Sequence, residues 1–292
     1  MKSVGVLGNC NIHGVGRAVR ALTGSDVKLY GVETFDGQAA GEAAAALSSH
    51  DFIVAIEFED RFAGGTDALK AEMGDRLLTM PAFVFGAFQP DMAILRQKDE
   101  HGGKIILSPI GVDSSSLVSF GYLNGLSIDE TCRLFCEKGY RSVGYLDAWF
   151  PAAENFKRRF GARYGSYLVQ WSRRGCFTYT FNHPKSFVLF DITRETLGDK
   201  IVNHVPDLSE ILPDDLRGSA IWPVYPDIAK RYGVEGNYWF KPHLEDRIMN
   251  LETFVSESYA LYQPYDPREL ECWQVSGWDT EKTTTLMSIA RG

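Results

Sequence analysis

The sequence predicts an α/β fold in which a parallel sheet is flanked by helices. Three observations carry that prediction. Short apolar runs at 4–7, 27–32, 52–57 and 82–85 are separated by segments of helical character, the pattern of strands joined by helical crossovers. A Gly8-Asn9-Cys10 turn links the first run to the first helical segment. The chain has 292 residues, 45% hydrophobic and 23% charged, enough apolar material for one large domain or a domain with an appendage.

Each element has its own signal. Residues 4–7 read as a buried strand, and 11–22 as a helix closed by Thr23-Gly24-Ser25. A second strand covers 27–32, and the alanine-rich 37–47 should be helical. A third strand covers 52–57, a polar helical stretch runs on to about 78, and a fourth strand covers 82–85. Beyond residue 104 the pattern changes to a helical insertion at about 112–165. Its helices are expected at 114–123, 127–137 and 152–164, with Ser127 and Glu130 forming a capping box at the second. The expected organisation is a catalytic core over 1–200 and an acidic, aromatic-rich extension over 201–292, irregular in structure and packed on that core.

Charge is unevenly spread. Lys and Arg number 30 and Asp and Glu 38, for a net charge of −8, yet 15 acids against 7 bases between Asp207 and Lys282 account for all of it. Residues 157–174 hold six bases (Lys157, Arg158, Arg159, Arg163, Arg173 and Arg174) and no acid. An acidic chain with local basic stretches argues against nucleic acid as a partner and fits a small anionic ligand better. No apolar run reaches the ~18–20 residues of a membrane span, and the N-terminal apolar stretch is too short for a secretion signal. Five cysteines without a Cys-x-x-Cys zinc pattern are expected as reduced thiols in a cytoplasmic protein, with no metal.

The turn Gly8-Asn9-Cys10-Asn11 is the strongest chemical signal. The first N–H groups of a helix lack internal partners, and the helix dipole places partial positive charge there. A cysteine at that place gains thiolate character, and the amides of Cys10 and Asn11, with the Asn9 side chain, can hold an oxyanion. A tight turn filled by a small residue is the bland alternative. No Walker loop exists, and Gly14-Val15-Gly16 comes too late for a dinucleotide fingerprint. Among six histidines, His13 lies one turn after Cys10 and can orient a substrate. His183, in Asn182-His183-Pro184, is held out of helical geometry by the proline. His50 and His101 read as solvent-facing, and His204 and His243 have no motif around them.

Four blocks, in this order, resemble the WcbI-type polysaccharide biosynthesis proteins. They are Gly8-Asn9-Cys10-Asn11, the 85–91 segment Phe-Gly-Ala-Phe-Gln-Pro-Asp, the 121–131 segment Gly-Tyr-Leu-Asn-Gly-Leu-Ser-Ile-Asp-Glu-Thr, and Phe181-Asn182-His183-Pro184. The resemblance covers roughly residues 3–195. It implies a coenzyme A-dependent acyltransferase, most simply an acetyltransferase, acting on a sugar hydroxyl of a capsular or extracellular polysaccharide precursor. It also implies an SGNH-hydrolase-like core with Cys10 where those enzymes carry serine, and Cys10 with His183 as the catalytic pair. Gly8, Asn9, Asn11, His13, Asn182 and Gln89 would surround the reacting groups, and Arg17, Arg20, Lys157, Arg158 and Arg159 would hold the phosphates of coenzyme A. Asn11 stands where the family has Gln, and Gln89 where it has His. Direct transfer, with His183 activating the sugar hydroxyl and no acyl-enzyme, is equally compatible with the sequence; an esterase using the same pair and a non-catalytic carbohydrate-binding protein are the competing readings, and a homo-oligomer is left open.

Overall fold

A computed structural model describes residues 2–58, 64–99, 103–198, 201–202 and 207–292. The chain forms two compact units, each drawn from several stretches. The first comprises Met1–Val84, Arg158–Tyr164 and Asn182–Arg217, and the second Phe85–Lys157, Gly165–Phe181 and Gly218–Gly292.

The first unit carries the predicted parallel sheet. Strands β1 (Ser3–Gly8), β2 (Asp26–Gly31), β3 (Phe52–Ile56) and β4 (Leu77–Met80) lie in the order β2-β1-β3-β4, all parallel. Helices α1 (Ile12–Thr23), α2 (Ala40–Leu47) and α3 (Gly65–Met73) fill the crossovers. Alternation along the strands sends Leu7, Ile53 and Ala55 to one face. There they join Ala43 and Leu47 of α2, and Leu69 and Met73 of α3, in one core cluster. Gly14 on α1 lets that helix approach the helix Ser186–Leu197, since a Cβ there would come within 2.5 Å of Leu189. Gly24 ends α1 in the left-handed conformation, its N–H bonding the Arg20 carbonyl, as the sequence predicts.

The fourth strand differs from expectation: it is Leu77–Met80, and 81–86 form no strand. The polar helix ends at Met73, where Gly74 adopts φ 59°, and the chain turns early enough for Leu77 to pair with Ile53. Pro81 then follows without an N–H to extend the ladder.

The second unit is built from helices and short antiparallel pairs. Met92–Ala93 pairs with Ser114–Ser115, and Leu95–Gln97 lies between Ile105–Ile106 and Leu270–Cys272. The insertion is helical, with Ser116–Leu123, Ile128–Cys132 and Glu137–Ser142, and the Ser127–Glu130 capping box is present. The helix expected over 127–137 is therefore broken. Leu134 and Phe135 turn inward, and Cys136 is extended at φ −146°. The helix expected at 152–164 runs instead from Trp149 to Phe160, and a further one covers Tyr164–Ser172.

The last third is more regular than its composition indicates. Leu251–Tyr262 and Thr280–Arg291 are helices of 12 residues each, capped by Asn250 and Asp279. Their buried faces are thin and partly polar, Phe254, Val255, Ser258 and Tyr262 in one and Leu286 and Ala290 in the other, so the helical period is weak. Among the described residues no helix is long and apolar enough to cross a membrane.

Candidate active site

Strand β1 ends at Gly8, whose missing side chain leaves room for Ile56 on β3, since a Cβ there would lie 2.7 Å from the Ile56 Cδ1. The chain then turns through Asn9 and Cys10 into α1. The Asn9 side-chain oxygen folds back over this turn, accepting from the Asn11 N–H at 3.3 Å and from the Cys10 thiol at 3.7 Å. Cys10 is exposed and reduced. The first turn of α1 carries no acidic residue, so nothing there offsets the positive end of the helix dipole.

His183 arrives from the far end of the unit's chain. Its Nε2 lies 3.2 Å from the Cys10 Sγ, across 173 residues of sequence. Pro184 is buried and holds the segment extended, and the helix Ser186–Leu197 begins directly after it. Two bonds tie this segment down. Asn11 donates from Nδ2 to the Asn182 carbonyl at 3.3 Å, and the Ser186 N–H donates to the Asp214 carboxylate at 3.1 Å. Asn11 is 3% exposed, so it fastens the His183 segment to the start of α1 rather than meeting solvent.

The other expected site residues distribute unevenly. His13 is exposed on the first turn of α1. Arg17 is gripped by Asp215 through two bonds of 2.7 and 2.9 Å, and that pairing holds its guanidinium above its ordinary pKa. Arg20 donates to the Val27 carbonyl at 3.3 Å and is exposed. Arg158 and Arg159 are exposed in the first unit. Lys157 belongs to the second unit, where it pairs with Glu154. Gln89 also belongs to the second unit and is 2% exposed, accepting from the Thr178 hydroxyl at 3.0 Å and donating toward the Cys176 sulfur at 3.9 Å.

One histidine expectation is corrected. His50 is 6% exposed, not solvent-facing, with Nδ1 2.7 Å from the Ser3 hydroxyl and Nε2 2.7 Å from the Tyr30 hydroxyl. Burial, with the Lys28 charge, pushes its pKa down. His101 and His204 lie outside the described residues. Among the described residues no cluster of His, Cys, Asp and Glu has a metal-binding arrangement.

Sequence reading missed two features. Asp214 and Asp215 join the first unit from what reads as an acidic tail, and only their partners Ser186 and Arg17 reveal why. Asp91, inside the second resembling block, is fully buried and receives the Leu117 N–H at 3.0 Å, the Tyr145 hydroxyl at 3.0 Å and the Tyr225 hydroxyl at 2.7 Å. Burial pushes its carboxyl up, while these donors pull it down.

Comparison with known proteins identifies the family. A family model described as the polysaccharide biosynthesis enzyme WcbI matches residues 3–199. A solved structure described as WcbI, a novel polysaccharide biosynthesis enzyme, in its native form without a disulfide bond between coenzyme A and a cysteine, is 14% identical, with a TM-score of 0.66 over 100% of this chain and 99% of that one. At that identity the likeness is one of fold. No curated protein matches the chain. The family match takes in the whole parallel sheet and both Cys10 and His183, and on that match the chain belongs to the WcbI family of polysaccharide biosynthesis enzymes.

Proposed function

We propose that this protein is a coenzyme A-dependent O-acyltransferase, moving an acetyl group to a sugar hydroxyl of a polysaccharide precursor, with Cys10 and His183 as its catalytic pair. The observation that carries this reading is the 3.2 Å approach of the His183 Nε2 to an exposed thiol at the start of a helix. A thioester supplies the activated acyl group. Cys10 loses its proton to His183, and its sulfur attacks the acyl carbon. Negative charge developing on the carbonyl oxygen is favoured beside the N-terminal end of α1. His183 returns the proton to the leaving thiolate of coenzyme A as the carbon–sulfur bond breaks. In the second half, His183 takes the proton of the sugar hydroxyl, that oxygen attacks the acylated Cys10, and the cysteine thiolate leaves and is reprotonated. The arrangement would be SGNH-like, with cysteine in place of serine.

The donor set suits this substrate: an exposed thiol and an imidazole at the reacting end, and Arg158 exposed on the same unit for phosphates, whereas Arg20 stands in the last turn of α1, at the opposite end of that helix from Cys10. Arg17 could serve only by leaving Asp215. The Asn11 N–H is turned onto the Asn9 side-chain oxygen and would have to leave it to serve an oxyanion. Incubation with acetyl-labelled coenzyme A tests the reading. Label is expected on Cys10 in the wild type and absent from Cys10→Ala, whose transfer rate should fall at least ~10³-fold. Full transfer by Cys10→Ala would sink the nucleophile role.

A further inference from the structure

The helix Ser186–Leu197 opens without a cap of its own. Its N-cap residue, Lys185, makes no side-chain capping bond, and its first turn holds no acidic residue. The first N–H groups of a helix have no partner inside it, so the Ser186 N–H needs an acceptor from elsewhere. Asp214 supplies it, 28 residues further on, through a carboxylate oxygen 3.1 Å from the Ser186 nitrogen. A carboxylate at that place also faces the positive end of the helix dipole. His183 lies just before Ser186, in a short extended segment with Pro184 buried. The start of this helix is thus the downstream anchor of His183, as the bond from the Asn11 Nδ2 to the Asn182 carbonyl is its upstream anchor.

The next residue grips the other helix. Asp215 accepts from the Arg17 Nε at 2.7 Å and from its Nη2 at 2.9 Å, a fork of two charge-assisted bonds midway along α1. The start of α1 carries Cys10. The two carboxylates stand on one turn, closed by the Arg217 N–H donating to the Asp214 carbonyl at 3.2 Å, with Leu216 buried beneath. Asp214 and Asp215 therefore join the helix after His183 to the helix after Cys10. The two helices also meet where Gly14 approaches Leu189. An apolar contact has no direction and leaves one helix able to slide or turn on the other, whereas hydrogen bonds of fixed geometry do not.

We infer that Asp214 and Asp215 are positioning residues for the thiol–imidazole pair, tying the two helices together so that the His183 Nε2 stays within reach of the Cys10 Sγ. This rests on the pairing of Cys10 with His183 in the reading above. Both acids act through that pair rather than by touching substrate.

The experiment follows alkylation of Cys10 by iodoacetamide in the full chain between pH 5 and 9, read by mass spectrometry of the Cys10 peptide, with Cys176 as internal reference. Circular dichroism checks that each variant is folded. An imidazole beside a thiol keeps thiolate present at low pH, so His183→Ala should slow alkylation about tenfold or more at pH 6. Asp214→Ala and Asp215→Ala should each slow it about threefold or more at that pH, as a displaced imidazole requires, with Cys176 unchanged. Neither should slow it further once His183 is Ala, since both act through His183. Asp214→Asn keeps an acceptor oxygen for the Ser186 N–H and should stay within about twofold of the wild type. Wild-type alkylation in Asp214→Ala or in Asp215→Ala overturns the positioning role. So does an undiminished further loss in the His183→Ala background, or Asp214→Asn as slow as Asp214→Ala. If Asp214→Ala does not fold, Arg17→Ala replaces it. It must then slow Cys10 as Asp215→Ala does, and the double variant no more than either, or the role is overturned. Acetyl labelling of wild-type Cys10 is measured separately. Its absence with the expected alkylation pattern would remove the acyl-transfer reading and leave the positioning role. Labelling with wild-type alkylation in Asp214→Ala would remove the positioning role alone, and wild-type alkylation in His183→Ala would remove both.

Discussion

The two units treat their polar groups in opposite ways. In the first, Cys10 is exposed at the end of a buried strand, with His183 3.2 Å away. In the second, Asp91 is 0% exposed and surrounded by hydroxyls, with Tyr225 passing the network on to the Trp222 indole at 3.1 Å. In the same unit Phe85, Phe88, Trp149 and Phe177 pack ring against ring, with Phe85 and Phe177 centroids 4.9 Å apart. All four resembling blocks thus have a physical explanation, but of two kinds. Gly8–Asn11 and Asn182–Pro184 bring an exposed thiol and an imidazole together, whereas the 85–91 and 121–131 blocks supply buried packing: Thr131 bonds the Tyr259 hydroxyl at 2.6 Å, and Gly121 has no room for a Cβ beside it. A motif shared with a family is as able to mark a satisfied core as a site.

Substitutions can break that contrast. The largest effect is expected at His183. His183→Ala should lower transfer by about 10²–10⁴-fold, the usual contribution of general acid–base catalysis, while the melting temperature stays within a few degrees. A loss of folding equal to the loss of activity would place His183 with the structural groups. Next comes Asp91→Ala. It leaves the Tyr145 and Tyr225 hydroxyls and the Leu117 N–H without their shared acceptor, which should cost about 3–5 kcal/mol in denaturant unfolding. Asp91→Asn keeps one acceptor oxygen and should cost less. A fully stable Asp91→Ala would show that the hub holds nothing together.

The smallest effect sharpens the comparison inside the second unit. Burial alone pushes the Asp113 carboxyl up from 3.8 to about 6, with none of the donors that Asp91 has. A raised folded pKa means the native state binds more protons than the unfolded state between those values, so stability falls as pH rises through that window. Asp113→Asn should therefore gain on the wild type between pH 4 and 6 and hold a constant lead above it. Denaturant midpoints at pH 4, 5, 6 and 7 measure this, and a lead independent of pH would refute it.

Much of the first unit was legible because its signals are local. Strand runs followed by Gly8 and Gly24 mark where chain direction changes, and the dipole at the start of α1 acts on whichever residue stands at Cys10. His183 was legible for a narrower reason: the proline after it restricts one residue. The fourth strand was misplaced because 77–80 and 82–85 are both short apolar runs, and only pairing with Ile53–Ile56 selects the first. The two C-terminal helices were missed because their buried faces are too sparse to carry a period.

The sequence by itself determined an α/β protein with a thiol at a helix start, since backbone geometry and hydrophobic alternation depend on near neighbours. Only the tertiary structure decided that Asp215 holds Arg17 and that His50 is buried between Ser3 and Tyr30. Those pairings join residues 20 to 198 positions apart. Charge and polarity state what a side chain can do, but the partner that satisfies it is chosen by the packing of distant segments.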